Sequence, residues 1–133
     1  MTRIALCCCQ ACKIEVEGEP TLNAVCNCSS CKRRTGSAFG WSAYFRNEDI
    51  KDRQGEFNIY VVKGPPITRR WLCANCGTTM MWENDDFVPG GQTGFAGGCF
   101  ADPPLPEPNI SAYDERRCAW VVLPETWMRV SPA

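Results

Sequence analysis

Eleven of the 133 residues are cysteines, and eight of the eleven fall in three short clusters. The clusters are Cys7-Cys8-Cys9, Cys26-Asn27-Cys28-Ser29-Ser30-Cys31 and Cys73-Ala74-Asn75-Cys76-Gly77. Thiolates at spacings of two and three residues are typical ligands of zinc. The odd number of cysteines and the lack of a visible export signal disfavour disulfides. We therefore predict that the clusters bind metal.

The third cluster predicts half of a closed zinc site. Tetrahedral zinc with bonds of about 2.3 Å needs sulfurs about 3.8 Å apart, and a C-x-x-C turn supplies two of them. Gly77 permits the positive φ that such a turn often requires. In extended chain a C-x-C pair shares one face because the strand period is two. The second pair of the closed site therefore comes from either Cys7 with Cys9 or the middle cluster.

The middle cluster offers three sulfurs within six residues, at Cys26, Cys28 and Cys31. Three protein ligands with an open fourth position are typical of a zinc site that does chemistry. A substrate thiol in that position would stay deprotonated and nucleophilic near neutral pH. The alternative is a structural site that a leftover cysteine closes. The candidates for that fourth ligand are Cys12, Cys99 and Cys118.

The chain contains no histidine, which removes the commonest general base and the commonest nitrogen ligand of zinc. Any catalysis must therefore use zinc, carboxylates, tyrosine, lysine or cysteine.

Short alternating segments between glycines and prolines must position these cysteines. Alternation over residues 13–17, 21–26, 39–45 and 57–61 predicts strands, and the run from 67 to 73 leads into the third cluster. Phe57, Ile59 and Val61 are expected on one face of a half-buried strand. A short turn of helix can follow Cys28, but no long helical period is present. We predict one mainly β domain over residues 1–133.

The overall charge and hydropathy limit the partners. The net charge is −1 and the pI is near 5.5, so we expect no nucleic-acid partner. No apolar run approaches the ~18 residues of a membrane helix. With no membrane segment or export signal visible, a cytoplasmic location is expected.

The order of the motifs resembles the glutathione-dependent formaldehyde-activating enzyme family. The run Cys26-Asn27-Cys28-Ser29-Ser30-Cys31-Lys32-Arg33-Arg34-Thr35-Gly36-Ser37 is similar to its central motif, and Leu72-Cys73-Ala74-Asn75-Cys76-Gly77 is similar to its second. Gly97 to Pro103 resembles the family's glycine-to-aspartate turn, and Asn109 to Trp120 resembles its closing segment. Asn27 and Asn109 stand where relatives commonly have histidine, and Gln10 stands where glycine is usual. The resemblance implies an Mss4-like arrangement of small antiparallel β-sheets around zinc–cysteine sites.

The resemblance also implies a role for each cluster. A structural zinc would be held by Cys7, Cys9, Cys73 and Cys76. A second, labile zinc linked to activity would be held by Cys26, Cys28 and Cys31. The family's founding reaction is a carbon–sulfur lyase reaction that joins formaldehyde and glutathione, which implies a small-molecule thiol and an aldehyde as partners.

Two further expectations concern the surroundings of the open site. Lys32, Arg33 and Arg34 follow it directly and could hold the carboxylates of a glutathione-like thiol, or could form a solvated basic loop. The alternative to an enzyme is a non-catalytic, zinc-stabilised binding module of the same fold.

Overall fold

The computed structural model describes residues 1–64, 67–84 and 90–131. The predicted mainly β fold class is confirmed. In these ranges the strands are β1 (Thr2–Leu6), β2 (Lys13–Glu17), β3 (Leu22–Cys26), β4 (Gly40–Arg46), β5 (Ile50–Gln54), β6 (Phe57–Val62), β7 (Thr68–Cys73), β8 (Thr79–Asn84), β9 (Gln92–Ala96), β10 (Ile110–Ala112) and β11 (Met128–Val130). The α-helix is α1 (Ser29–Thr35), and short 3-10 turns span Asn47–Asp49, Gly97–Cys99 and Asp114–Arg116.

The strands form two sheets. Strands β1, β2 and β5 make a three-stranded antiparallel sheet in the order β1-β2-β5. The other eight strands make one sheet in the order β11-β10-β3-β4-β9-β8-β7-β6. Strand β10 runs parallel to both β3 and β11, whereas the remaining pairs in this sheet are antiparallel. The first cysteine cluster therefore lies between β1 and β2 of the small sheet, and the other two begin at the last residues of β3 and β7 in the large sheet.

One apolar core connects the two sheets. Ile14 and Val16 of the small sheet belong to the same buried cluster as Phe45 and Phe95 of the large sheet. Phe45, Phe95 and Phe100 lie with their ring centroids 5.7 Å apart in each pair. Burial of aromatic and branched side chains is the main stabilising term in such a core.

Helix α1 begins and ends on residues of the central motif. Cys28 is its N-cap, and its sulfur accepts a hydrogen bond from the backbone N–H of Cys31. Gly36 ends the helix in the left-handed conformation, with φ 64°, and donates to the carbonyl of Lys32. The helix is therefore a short turn that orients the middle cluster.

Strand β6 lies at the edge of the large sheet. The expected strand is present, but Ile59 is 50% and Val61 48% exposed. Phe57 packs against Trp71, with ring centroids 5.8 Å apart. The prediction of a half-buried face over all three residues was wrong for Ile59 and Val61, because the sequence does not show which strand is the last in a sheet.

Within the described residues, no helix has the length and apolar character to cross a bilayer.

Candidate metal centres

Four cysteines from distant parts of the chain converge. The sulfurs of Cys7, Cys9, Cys73 and Cys76 all lie within 4.8 Å of one another. Cys7 and Cys9 are 3.6 Å apart, and Cys9 and Cys73 are 3.8 Å apart, as measured between sulfurs. These separations fit the edges of a tetrahedron around zinc. The sequence allowed two partners for Cys73 and Cys76, namely Cys7 with Cys9 or the middle cluster. The structure brings Cys7 and Cys9 to them.

Local backbone hydrogen bonds shape this closed cluster. The N–H of Cys12 donates to the sulfur of Cys7 at 3.2 Å, and the N–H of Cys76 donates to the sulfur of Cys73 at 3.4 Å. Gly77 has a φ of 81° and donates its N–H to the carbonyl of Cys73. Amide groups aimed at sulfur stabilise thiolates, so the donor set suits a cation.

The closed cluster is half buried. Cys7 and Cys73 are buried, whereas Cys9 and Cys76 are exposed. A hydrogen bond from Thr78 is the largest of the effects that lower the pKa of the Cys76 thiol to about 5. Burial, in contrast, raises the pKa of the Cys7 thiol, so Cys76 is the sulfur of this pair that ionises more readily.

The middle cluster also closes into a compact group. The sulfurs of Cys26, Cys28 and Cys31 lie within 4.8 Å of one another, and those of Cys26 and Cys28 are 3.4 Å apart. Cys26 ends β3, Cys28 caps α1 and Cys31 lies in the first turn of the helix. All three are partly exposed. Among the described residues no fourth cysteine, aspartate or glutamate joins the group, so we call it the open cluster.

The electrostatics of the open cluster favour an anionic sulfur. Hydrogen bonds from the thiols of Cys26 and Cys31, helped by backbone N–H groups, lower the pKa of the Cys28 thiol to about 2. The bond to Cys28 in turn raises the pKa of the Cys26 thiol well above its ordinary value. Three sulfurs that share protons in this way are a donor set that a divalent cation fits.

The three leftover candidates for a fourth ligand lie elsewhere. Cys12 is buried beside Cys7 and Cys73 of the closed cluster, and burial raises its pKa to about 12. Burial likewise raises the pKa of Cys99 to about 11. Cys118 follows the last 3-10 turn. The structure brings none of these residues into the open cluster.

A cavity of about 960 Å³ borders the closed cluster. Cys7 and Cys76 of the closed cluster contribute to its wall, and so do Phe39, Trp41 and Cys99. None of the three open-cluster cysteines is among the residues that line it. The open-cluster cysteines therefore form no part of the wall of this cavity.

Arg34 is the side chain that joins the cavity to the open cluster. It lines the cavity, and its guanidinium carbon lies 4.5 Å from the ring centroid of Trp82. Its pKa is lowered by burial, an effect that the neighbouring Cys31 sulfur opposes. One terminal nitrogen is buried without a hydrogen-bond partner. A buried N–H without a partner is a donor that an anion could use if it reached this side chain from the cavity.

The two other basic residues of the motif point elsewhere. The ammonium group of Lys32 donates to the carbonyl of Arg116 at 2.6 Å, and Arg33 is exposed. Only Arg34 of the three lines the cavity.

The structure adds a polar network that sequence analysis missed. Asn27 is fully buried and donates to the hydroxyl of Ser111 at 3.0 Å, and Ser111 donates to Asp114 at 2.8 Å. Arg117 and Arg129 both bond to the same carboxylate oxygen of Asp114. No local spacing signals this network, because Asn27 and Ser111 are 84 residues apart.

These features define a small, mainly β protein with two cysteine clusters that could each hold a metal ion. A model of the family described as glutathione-dependent formaldehyde-activating enzyme matches residues 2–116, well over half of the chain. The chain belongs to this family. A crystal structure of a Rhodobacter sphaeroides protein has a similar fold, with a TM-score of 0.57 and 23% sequence identity over 74% of this chain and 86% of that one.

Proposed function

We propose that this protein is a zinc enzyme of the carbon–sulfur lyase type, which adds a small thiol to an aldehyde or reverses that addition. The observation that carries the proposal is the open cluster, where Cys26, Cys28 and Cys31 converge without a fourth described ligand. The family's description supports a glutathione-like thiol and formaldehyde as substrates.

Zinc fits both clusters by the chemistry of their donors. In the closed cluster four sulfurs complete a tetrahedron, which is typical of a structural ion. In the open cluster a zinc ion would lower the pKa of a substrate thiol and supply a nucleophile at neutral pH. The protein's own contribution is to hold three sulfurs at the end of β3 and the start of α1, with no fourth ligand among the described residues.

Arg34 supports a thiol that carries carboxylates. The residue lines the cavity, one of its terminal nitrogens is buried without a hydrogen-bond partner, and the side chain lies beside Cys31. A substrate carboxylate there would gain a charge-assisted hydrogen bond, which is roughly twice as strong as a neutral one. Lys32 and Arg33 are less suited to this role, because neither lines the cavity.

A binding role without catalysis is the second candidate. It is favoured by the cavity, which is lined by Cys7 and Cys76 of the closed cluster rather than by the open cluster. In that case a ligand would occupy the cavity without approaching the second ion.

The test uses protein loaded with zinc under reducing conditions. The rate of S-hydroxymethylglutathione formation from glutathione and formaldehyde is measured by NMR exchange, with and without protein, alongside zinc per chain. We expect the wild type to accelerate the reaction with two zinc ions bound. Cys28→Ala should lose one ion and the acceleration.

The matched control is Cys118→Ala, since Cys118 belongs to neither cluster. It should retain both ions and the full rate. If Cys28→Ala leaves both zinc content and rate unchanged, the proposal is wrong. If the wild type binds glutathione but does not accelerate the addition, the binding role replaces it.

A further inference from the structure

Asn27 lies between two cysteines of the open cluster and faces away from them. It is fully buried at 0% exposure, whereas Cys26 and Cys28 are partly exposed and have their sulfurs 3.4 Å apart. Because alternate side chains of an extended chain point to opposite sides, the side chain of Asn27 enters the protein on the side away from the two sulfurs. The backbone of Asn27 therefore sets the distance between the two cysteines.

Three hydrogen bonds fasten Asn27 to strand β10. Its backbone N–H donates to the carbonyl of Ala112 at 3.0 Å, and its side-chain amide donates to the same carbonyl at 2.9 Å. The amide also donates to the hydroxyl of Ser111 at 3.0 Å. In the parallel pairing of β10 with β3, Ala112 lies opposite Cys26. The residue between the two cysteines is thus fixed through both its backbone and its side chain.

The acceptors of these bonds are themselves held by the large sheet. Ser111 is fully buried in β10, and its hydroxyl donates to Asp114 at 2.8 Å. The same oxygen of Asp114 accepts from Arg117 at 3.2 Å and from Arg129 of β11 at 3.3 Å. Buried hydrogen bonds in a chain strengthen one another and limit movement. The network therefore connects the loop of the open cluster to β10 and β11.

One atom of Asn27 works against stability. Its side-chain oxygen is buried and has no hydrogen-bond partner among the described residues. The amide nitrogen has to face Ala112, because an oxygen in its place would face the lone pairs of a carbonyl. A buried acceptor without a partner costs free energy that an apolar side chain of the same shape would not cost. The amide is therefore better explained by the loop geometry that it imposes than by a gain in stability.

We propose that Asn27 is a positioning residue for the open cluster, whose amide fixes the chain between Cys26 and Cys28 so that both sulfurs can bind one zinc ion. This inference rests on the part of the proposed function that places an ion there. Sulfurs bound to one tetrahedral zinc ion lie about 3.8 Å apart, and those of Cys26 and Cys28 are close to that separation at 3.4 Å. Ligands that are ordered before binding lose less conformational entropy when the ion binds.

The test replaces Asn27 by leucine and measures binding of Co²⁺. Leucine has a similar shape, removes the partnerless oxygen and leaves two bonds in place, from the backbone of residue 27 to Ala112 and from Ser111 to Asp114. Co²⁺ is the probe, because its d–d absorption reports tetrahedral geometry and its charge-transfer absorption reports bound thiolates. Titration of Cys28→Ala gives the spectrum of the closed cluster, which is subtracted.

Asn27→Leu should weaken Co²⁺ binding at the open cluster alone. Loss of a group that orients metal ligands typically costs 10–100-fold in affinity, and we expect the Kd to rise by about tenfold. The d–d band of this site should weaken, because the sulfurs then leave their tetrahedral positions. The spectrum and the Kd of the closed cluster should not change.

Ser111→Ala tests the same network from a strand outside the loop of the open cluster. It removes one acceptor of the Asn27 amide and keeps Asn27 itself. The Kd of the open cluster for Co²⁺ should rise by about threefold, as expected for the loss of one neutral hydrogen bond.

Thr93→Val is the matched control, since it also replaces a buried polar side chain by an apolar one of the same shape. Thr93 is 2% exposed, and its hydroxyl donates to Asn47 at 2.6 Å. Thr93 pairs with Phe45 near one end of β4, whereas Cys26 pairs with Gly40 at the other end, about 16 Å away along the strand. This variant should keep the wild-type Kd and spectrum at both clusters.

The outcomes separate this inference from the proposed function. If Asn27→Leu and Ser111→Ala both keep the wild-type Kd and spectrum at the open cluster, Asn27 has no positioning role. An equal rise of the Kd in Thr93→Val would also overturn the inference, because general destabilisation would then explain the effect. A wild type that binds Co²⁺ at the closed cluster alone overturns the ion in the open cluster, and this inference with it. A wild type that binds two ions without accelerating the addition overturns the proposed enzyme activity, whereas the Kd of Asn27→Leu still decides the role of Asn27.

Discussion

At the scale of single residues, the three consecutive cations of the central motif differ in their surroundings. Successive side chains on an α-helix project about 100° apart, so neighbours cannot share one environment. Lys32 bonds to the carbonyl of Arg116, Arg33 is exposed, and Arg34 lies against Trp82 and the cavity. The motif contains three candidates for binding a carboxylate of the substrate thiol. Because of the helix geometry, Arg34 is the one that lines the cavity.

Replacement of Arg34 should therefore weaken thiol binding more than replacement of its neighbour. For Arg34→Met we expect the Kd of glutathione for the zinc-loaded protein to rise by about tenfold, which corresponds to loss of one charge-assisted hydrogen bond of about 1.4 kcal/mol. Isothermal titration calorimetry measures it. Arg33→Met should change the Kd less than twofold. The Kd of Arg34→Lys should lie between those of Arg33→Met and Arg34→Met. Equal effects of Arg33→Met and Arg34→Met would contradict the assignment.

At the scale of elements, β9 approaches β8 so closely that one position excludes a side chain. A Cβ on Gly94 would lie within 3 Å of three atoms of the Trp82 ring. Trp82 donates to the hydroxyl of Tyr44 at 3.1 Å and lies beneath Arg34. The glycine thus allows β4, β8 and β9 to present an aromatic surface to the helix that carries the open cluster.

Gly94→Ala should destabilise the protein by overpacking. We expect a loss of about 1–3 kcal/mol in the free energy of unfolding, measured by urea denaturation. Gly98→Ala is the control, because its Cβ would meet open space and its φ is not positive. The explanation fails if the two variants are equally stable.

At the scale of the whole molecule, the closed cluster connects the two sheets. Cys7 and Cys9 follow β1 of the small sheet, whereas Cys73 ends β7 and Cys76 follows it in the large sheet. The open cluster, in contrast, spans only six residues of one loop and helix. An ion whose ligands come from distant segments binds the folded chain alone and stabilises it by its full binding free energy. Three cysteines within six residues can also bind the ion in the unfolded chain, which reduces the stabilisation.

Loss of the closed site should therefore lower the Tm more than loss of the open site. We expect Cys73→Ser to retain at most one zinc per chain and to melt well below Cys28→Ser, which should also lose one zinc. Elemental analysis and calorimetric melting measure the two quantities. Chelation of zinc from the wild type should lower its Tm toward that of Cys73→Ser. Identical melting of the two variants would contradict the larger contribution of the closed site to stability.

The sequence by itself determined the local geometry of the cysteines and the mainly β class. C-x-C in extended chain and C-x-x-C-G in a turn permit few backbone conformations, so each spacing already indicates a pair of ligands. Alternating residues likewise indicated β2, β3, β4 and β6, but not β1, β5 or the strands that follow the third cluster. Such signals depend on contacts between near neighbours.

Only the tertiary structure decided which pairs meet and what surrounds them. Cys9 and Cys73 are 64 residues apart, and Asn27 and Ser111 are 84 apart. How the two sheets pack together decides that Cys12 lies beside the closed cluster and that Arg34 lines the cavity. Residue spacing carries no record of that packing, because the order of strands in a sheet is set by the burial of the whole core.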